Sequence, residues 1–245
     1  MYPELTKDRS WYSVGLPLHY PSTFAGRATE EDLDEYILAE LLDRAIGEFL
    51  PPGPFHLVGY SVGGLTALNY AAKFPTRVRS VVSIGGFVTG RTGGLEGVLE
   101  YVARGNFLRK ALFRTGYWIM QRHRIFYKLA TLTYARRWGA LLRYPALDAT
   151  IRNVFADVRH HSIAGQRAWF RYLLGMNIND ELTAVRCPVL VAAGTADPVI
   201  PYAHQEEYAA ALPNATLLRL EGVGHVPFAE APERFRAALL EWFAA

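Results

Sequence analysis

The sequence predicts an α/β protein: a mostly parallel sheet with one large helical insertion after the third strand of the chain. Three observations predict it. Short β-branched runs alternate with amphipathic helical patterns at both ends of the chain, the middle carries helical patterns with no convincing strand, and charge divides along the same boundaries. Residues 91–178 hold 15 Lys and Arg against four acids, a net charge of +11, while the remainder sums to −8. The expected division is a core of residues 1–90 and 179–245 and a helical segment of residues 91–178.

The first strand is expected at residues 11–14. A helix then opens at Thr29, with Asp32 three residues on as a capping box, and continues through Leu33, Tyr36, Ile37, Leu41, Ile46 and Phe49 near helical spacing. Pro51-Pro52-Gly53-Pro54 stops it, because proline lacks the amide hydrogen that a helix interior needs. A buried strand follows at 55–59, a helix at 62–74, and a strand at 78–84 that ends on Gly85-Gly86. After the middle segment come a strand at 189–193, a helix at 204–212, a strand at 215–220 and a last helix at 232–243. Strands separated by helices indicate a parallel sheet, since a parallel return requires a crossover.

Composition excludes several classes. With 245 residues, 51% apolar and 20% charged, the chain is neither disordered nor too short to bury a core. Even the apolar stretch 78–88 is broken by arginine, serines and glycines, far short of the roughly 18 residues of a spanning helix. A single cysteine, Cys187, excludes an internal disulfide, and residues 1–14 lack the apolar core of a signal peptide, so the cytoplasm is the expected location. Cys187 precedes a proline and an apolar strand and reads as a buried thiol. His56, His123, His160, His161 and His204 lack metal-ligand spacing with Cys, Asp or Glu, so no metal is expected, nor an organic cofactor.

Between the strand at 55–59 and the helix at 62–74 stands Gly59-Tyr60-Ser61-Val62-Gly63-Gly64. A serine on a very tight strand-to-helix turn needs neighbours without a β-carbon where the two arms approach, hence glycine at both i−2 and i+2. The turn lifts the hydroxyl clear of the sheet and points the helix start at it, so the Val62 backbone N–H can meet a developing oxyanion. Such a serine needs a base, and the base an orienting acid. Asp197 follows the strand at 189–193, and His225 lies on the Gly-rich loop 221–227 after the strand at 215–220. Because C-terminal strand ends share one rim of a parallel sheet, Ser61, Asp197 and His225 are expected to converge there.

In these motifs and their order the chain resembles the α/β-hydrolase superfamily over nearly its whole length. The resemblance implies Ser61 as nucleophile, His225 as general base and then acid, Asp197 as the residue that fixes the imidazole, and residues 91–178 as a helical cap. A serine rather than an aspartate at the turn speaks for acyl transfer and against dehalogenation. Members of the family begin with further strands and a His-Gly loop that supplies a second oxyanion donor. Here residues 14–22 resemble the loop after the family's fourth strand, with Tyr20 in place of glycine, and the family's opening has no counterpart. Two explanations compete, an internal methionine at Met1 or a rebuilt member with half an oxyanion hole. An alternative makes His19-Tyr20 itself the oxyanion loop and residues 11–18 the missing strand. Losing one donor costs about 10² to 10³ in turnover. The lost strand would leave neighbouring strand edges exposed unless they close up directly.

The function expected from the resemblance is hydrolysis of an ester or related acyl bond in a hydrophobic or amphiphilic small molecule. The rivals are a catalytically impaired binding protein of the same fold and a cofactor-free haloperoxidase-like enzyme. Arginines among Tyr117, Trp118, Phe126 and Trp169 suit either a solvated lid, an anionic membrane surface, or a substrate bearing a carboxylate or phosphate. Nucleic acid is disfavoured, because no recognised binding motif accompanies the charge.

Overall fold

The computed structural model describes residues 3–22, 32–90 and 92–244. A single turn, α1 (Pro3–Thr6), and a longer helix, α2 (Glu35–Gly47), precede the sheet. The expected capping box is corrected: Thr29 lies outside the described residues, and the cap is Asp34, whose carboxylate accepts the Ile37 N–H at 2.6 Å.

The sheet has four parallel strands, β1 (Phe55–Tyr60), β2 (Val78–Ile84), β3 (Val189–Gly194) and β4 (Ala215–Leu220), in the spatial order β1-β2-β3-β4. Helix α3 (Val62–Lys73) joins β1 to β2, and α10 (Tyr202–Ala211) joins β3 to β4. Covered on both faces, β3 is buried along its whole length, as an unbroken apolar run requires. Val81, Val189 and Val191 pack with Leu65 and Leu68 of α3 and Tyr208 of α10. On the opposite face Val82, Ile84, Leu190 and Leu220 meet Phe235, Leu239 and Phe243 of the last helix, α12 (Pro232–Ala244).

Residues 11–14 do not form the expected strand. Trp11 packs edge-to-face against Phe243 at 6.1 Å and donates its indole N–H to the Leu5 carbonyl at 2.9 Å. Strand-forming side chains make a strand only where a neighbour meets the backbone groups, and here none does. A groove of about 500 Å³ lies between this segment and β1, walled by Trp11, Val14, Leu16, Leu42, Phe55 and Leu57. Among the described residues the outer edge of β1 is therefore unpaired, and the two flanks do not close up.

Between β2 and β3 the chain forms α4 (Gly94–Ala103), α5 (Phe107–Arg122), α6 (Arg124–Leu132), α7 (Trp138–Arg143), α8 (Leu147–Val158) and α9 (Ile163–Leu173). Its two ends meet in a neck, where Thr89 and Asn177 form an antiparallel bridge and the Ile178 N–H donates to the Val88 carbonyl at 3.0 Å. The insert has its own small core of Ala103, Phe113, Tyr117 and Phe170. A second cluster, Ala135, Leu141, Leu147 and Ile151, shares Val226 and Ala229 with the loop that follows β4. No described helix is long and apolar enough to cross a membrane.

Candidate active site

Ser61 joins β1 to α3 with φ 53° and ψ −117°, a left-handed conformation that costs a non-glycine residue energy and persists only where its surroundings hold it. Three backbone hydrogen bonds hold it here, from the Ser61 N–H to the Ile84 carbonyl at 2.8 Å and to the Ser61 carbonyl from the Gly64 N–H at 2.8 Å and the Leu65 N–H at 3.3 Å. A β-carbon at Gly59 would lie 2.0 Å from the Gly63 carbonyl oxygen, and one at Gly64 would lie 2.9 Å from Gly86 Cα. Space at Gly63 is open, with nothing within 4 Å. The expected pair of steric glycines at i−2 and i+2 is thus corrected to Gly59 and Gly64, because Gly63 faces the groove beside β1. Val62 is the first residue of α3, so its N–H has no intrahelical acceptor and stands at the positive end of the helix dipole.

Asp197, just past β3, is held by four donors. Oδ1 accepts the Val199 and Ile200 amides at 2.8 and 2.9 Å, while Oδ2 accepts Gln205 Nε2 at 3.3 Å and His225 Nδ1 at 2.8 Å. Donation from Nδ1–H leaves Nε2 as the imidazole's basic nitrogen. Both side chains are buried, His225 to 2% exposure and Asp197 to none. The imidazole lies 5.1 Å from the Tyr60 ring and 5.9 Å from the Tyr134 ring, centroid to centroid. Gly85, at φ 55°, makes room for it, since a β-carbon there would come within 2.9 Å of Nδ1. Gly85 directly follows Ile84, which is in register with Tyr60, so the imidazole and the serine turn share one rim of the sheet. The described hydrogen bonds include the Asp197–His225 pair and none from Ser61 Oγ.

Sequence reasoning missed Glu230. It lies on the short helix α11 (Pro227–Glu230), 3% exposed, and its carboxylate accepts four backbone amides: Gly224 at 3.0 Å and Val226 at 3.1 Å, on either side of His225, and Arg136 at 2.8 Å and Arg137 at 2.7 Å in the insert. The His225 N–H donates in turn to the Tyr134 carbonyl at 2.9 Å. One buried carboxylate thus fastens the histidine loop to the insert. Its partners are main-chain groups, which carry no side-chain signature in a sequence.

A cavity of about 300 Å³ opens above Ser61 and Val62, roofed by side chains of the insert. His19 borders it, with Nδ1 against the Pro17 carbonyl at 3.0 Å and its ring edge-on to Trp169 and His161. Burial pushes both imidazoles below the usual histidine range, His161 to about 4, so both are neutral near pH 7. Residues 11–18 form no strand, and the His19 N–H is engaged by the Leu16 carbonyl at 3.1 Å. The strand in the alternative reading is corrected, while the His19-Tyr20 loop does border the cavity over Ser61 through His19.

The remaining histidines and the cysteine have structural partners or surroundings. His56 Nδ1 lies 2.7 Å from Ser80 Oγ, His204 Nε2 accepts the Val88 N–H at 3.3 Å, and Cys187 is buried, which pushes its thiol up. Among the described residues no group of three or more His, Cys, Asp or Glu is placed to hold a metal ion.

Residues 19–232 match the family model of the alpha/beta hydrolase fold. RutD of Caulobacter sp. (strain K31), named for carbamate hydrolysis, is 30% identical over 195 residues, 76% of this chain; the chain spans 64% of that relative's length. A pimeloyl-[acyl-carrier protein] methyl ester esterase of Aromatoleum aromaticum is 28% identical over 221 residues, covering 89% of this chain and 81% of the esterase. Of solved structures, an alpha/beta hydrolase enzyme from a Medee basin deep-sea metagenome library has a TM-score of 0.67 at 20% identity, covering 91% of this chain and 75% of that one. The enol-lactonase of Burkholderia xenovorans LB400 has a TM-score of 0.66 at 20% identity, covering 94% and 79%. At such identity the shared property is the fold.

Proposed function

This chain belongs to the alpha/beta hydrolase fold family, and from that premise we propose that it is a serine hydrolase acting on an ester or related acyl bond of a small amphiphilic molecule. The observation that carries the reading is the buried Asp197–His225 pair on the same sheet rim as the strained Ser61 turn. Ser61 Oγ attacks the acyl carbon as His225 Nε2 takes its proton, and Asp197 stabilises the imidazolium. The Val62 N–H bonds the oxyanion of the tetrahedral intermediate. Collapse expels the alcohol, which takes the proton from His225. Water, deprotonated by His225, then attacks the acyl-serine; the acid leaves and Ser61 recovers its proton. Catalytic hydrogen bonds are often long until substrate arrives, so an unbonded Ser61 Oγ is compatible with this sequence of steps.

In this reading residues 91–178 are the cap, since their helices roof the cavity over Ser61. The test is covalent labelling by a fluorophosphonate. Ser61 should label, with labelling lost in Ser61→Ala and in His225→Ala. A folded protein that neither labels nor turns over short-chain aryl esters would favour the impaired binding protein instead. The cap's outer face supports a second reading, contact with an anionic membrane surface. Phe107, Leu112, Trp118 and Ile125 stand exposed there among arginines and lysines. Salt-sensitive binding to anionic vesicles is expected, and equal binding to neutral vesicles would remove the idea.

A further inference from the structure

The charges of the insert are sorted by direction. Most of its arginines stand in solvent, whereas two of its four acids, Glu96 and Glu100, line the cavity over Ser61. They lie one helical turn apart on α4 and so share a face. The Tyr134 hydroxyl donates to Glu96. Glu100 is only 4% exposed, its Oε1 makes no hydrogen bond of full geometry, and the single hydroxyl beside the carboxyl is that of Thr92, itself buried. Among the described residues, no lysine or arginine lines this cavity to neutralise either carboxyl. A buried carboxyl with one threonine hydroxyl for company and an oxygen still unsatisfied is uncommon and costs stability, so its presence in a substrate-sized space points to a further donor brought from outside.

We propose that Glu100, with Glu96 beside it, is a specificity-determining acceptor that binds a hydroxyl or ammonium group at the far end of the ester substrate. The inference rests on the hydrolase reading for the ester alone; the acceptor site stands on its own geometry. It also sets the cavity apart from the cap's exterior. The outer surface is basic, but the chamber presents carboxyls and neutral imidazoles, which suit a donor and repel a carboxylate or phosphate. Burial of Glu100, reinforced by the Glu96 charge, pushes its carboxyl up to about 7 against the opposing pull of Thr92 and Arg104.

The test uses the full chain carrying Ser61→Ala, so that binding is read without turnover. The probes are methyl esters of straight-chain acids of graded length ending in methyl, hydroxyl, ammonium or carboxylate, with affinity measured by calorimetry. Ammonium and hydroxyl ends should bind at least about tenfold tighter than methyl at the best chain length, with carboxylate weakest. Adding Glu100→Leu should reverse the order in favour of methyl. Adding Glu100→Gln, which keeps the shape of the side chain, should retain the hydroxyl preference and lose that for ammonium. Equal affinity for every end, a carboxylate preference, no binding of any probe, or an ammonium preference that survives Glu100→Leu would each overturn the proposal. Fluorophosphonate labelling of the unsubstituted protein separates the two readings. A silent serine with a Glu100-dependent preference removes the hydrolase and keeps the acceptor; a labelled serine with no preference does the reverse.

Discussion

The recess beside β1 is larger than the one over Ser61, about 500 Å³ against about 300 Å³, yet their walls differ in kind. Around the larger one the polar groups are occupied with structural partners: Arg9 with the Phe243 carbonyl at 2.6 Å, His56 with Ser80. Around the smaller one a strained serine, a free helix N-terminus, neutral imidazoles and two buried carboxyls face one space. The larger recess marks where sheet pairing ends among the described residues, whereas the smaller one gathers polar groups around Ser61. Volume alone does not locate chemistry; convergence of polar groups that cannot all satisfy one another does.

The contrast can be broken most directly at the serine. Ser61→Ala should lower kcat by roughly 10⁵- to 10⁶-fold and Asp197→Asn by about 10⁴-fold, read as hydrolysis of an aryl ester. Comparable losses from Tyr12→Ala, at the mouth of the larger groove, would erase the distinction. Glu230→Ala should cost about 3 kcal/mol in urea unfolding, because four backbone amides lose one buried carboxylate, and should lower kcat as the His225 loop loosens.

A smaller effect is expected from Glu100→Gln. The Glu100 carboxyl is raised in the folded state, so its contribution is fully present below its unfolded value near 4.5 and is lost as pH rises through about 7. Glu96, itself raised by burial, and Arg104 are the charged groups that act on it, with Thr92 as its hydroxyl neighbour. Melting curves should therefore show Glu100→Gln gaining roughly 2–4 °C over the unsubstituted protein at pH 8 and nothing at pH 4. A gain that does not change with pH would mean the carboxyl is not buried as described. The smallest effect is reserved for the groove. Val58→Lys on the outer edge of β1, unpaired among the described residues, should leave aryl-ester hydrolysis within about twofold while reducing self-association in light scattering, since a charge on an exposed edge opposes strand pairing.

The strands at 55–60, 78–84, 189–194 and 215–220 were legible because each apolar run is bounded by proline, glycine or a turn. The Ser61 turn and the Asp197 and His225 loops were legible for a related reason: each sits where such a run stops, and chain order then places all three on one rim. Residues 11–14 failed because extended propensity says nothing about whether a partner strand is present. Glu230 was invisible because its partners are amides far away in sequence. Glu96 and Glu100 were visible as the exceptions to a basic stretch, but counting charge does not tell which side of a helix faces inward; that depends on what the helix rests on.

The neck at Thr89 and Asn177 brings departure and return of the six-helix insert to adjoining residues. Partners across an antiparallel bridge lie about 5 Å apart, a gap that a tight turn can span. The insert is in that sense a cassette, exchangeable without rerouting any strand. The exchange carries conditions set by the histidine loop: a foreign cassette must present two main-chain donors to Glu230 where Arg136 and Arg137 now sit, and an acceptor for the His225 N–H where the Tyr134 carbonyl now sits.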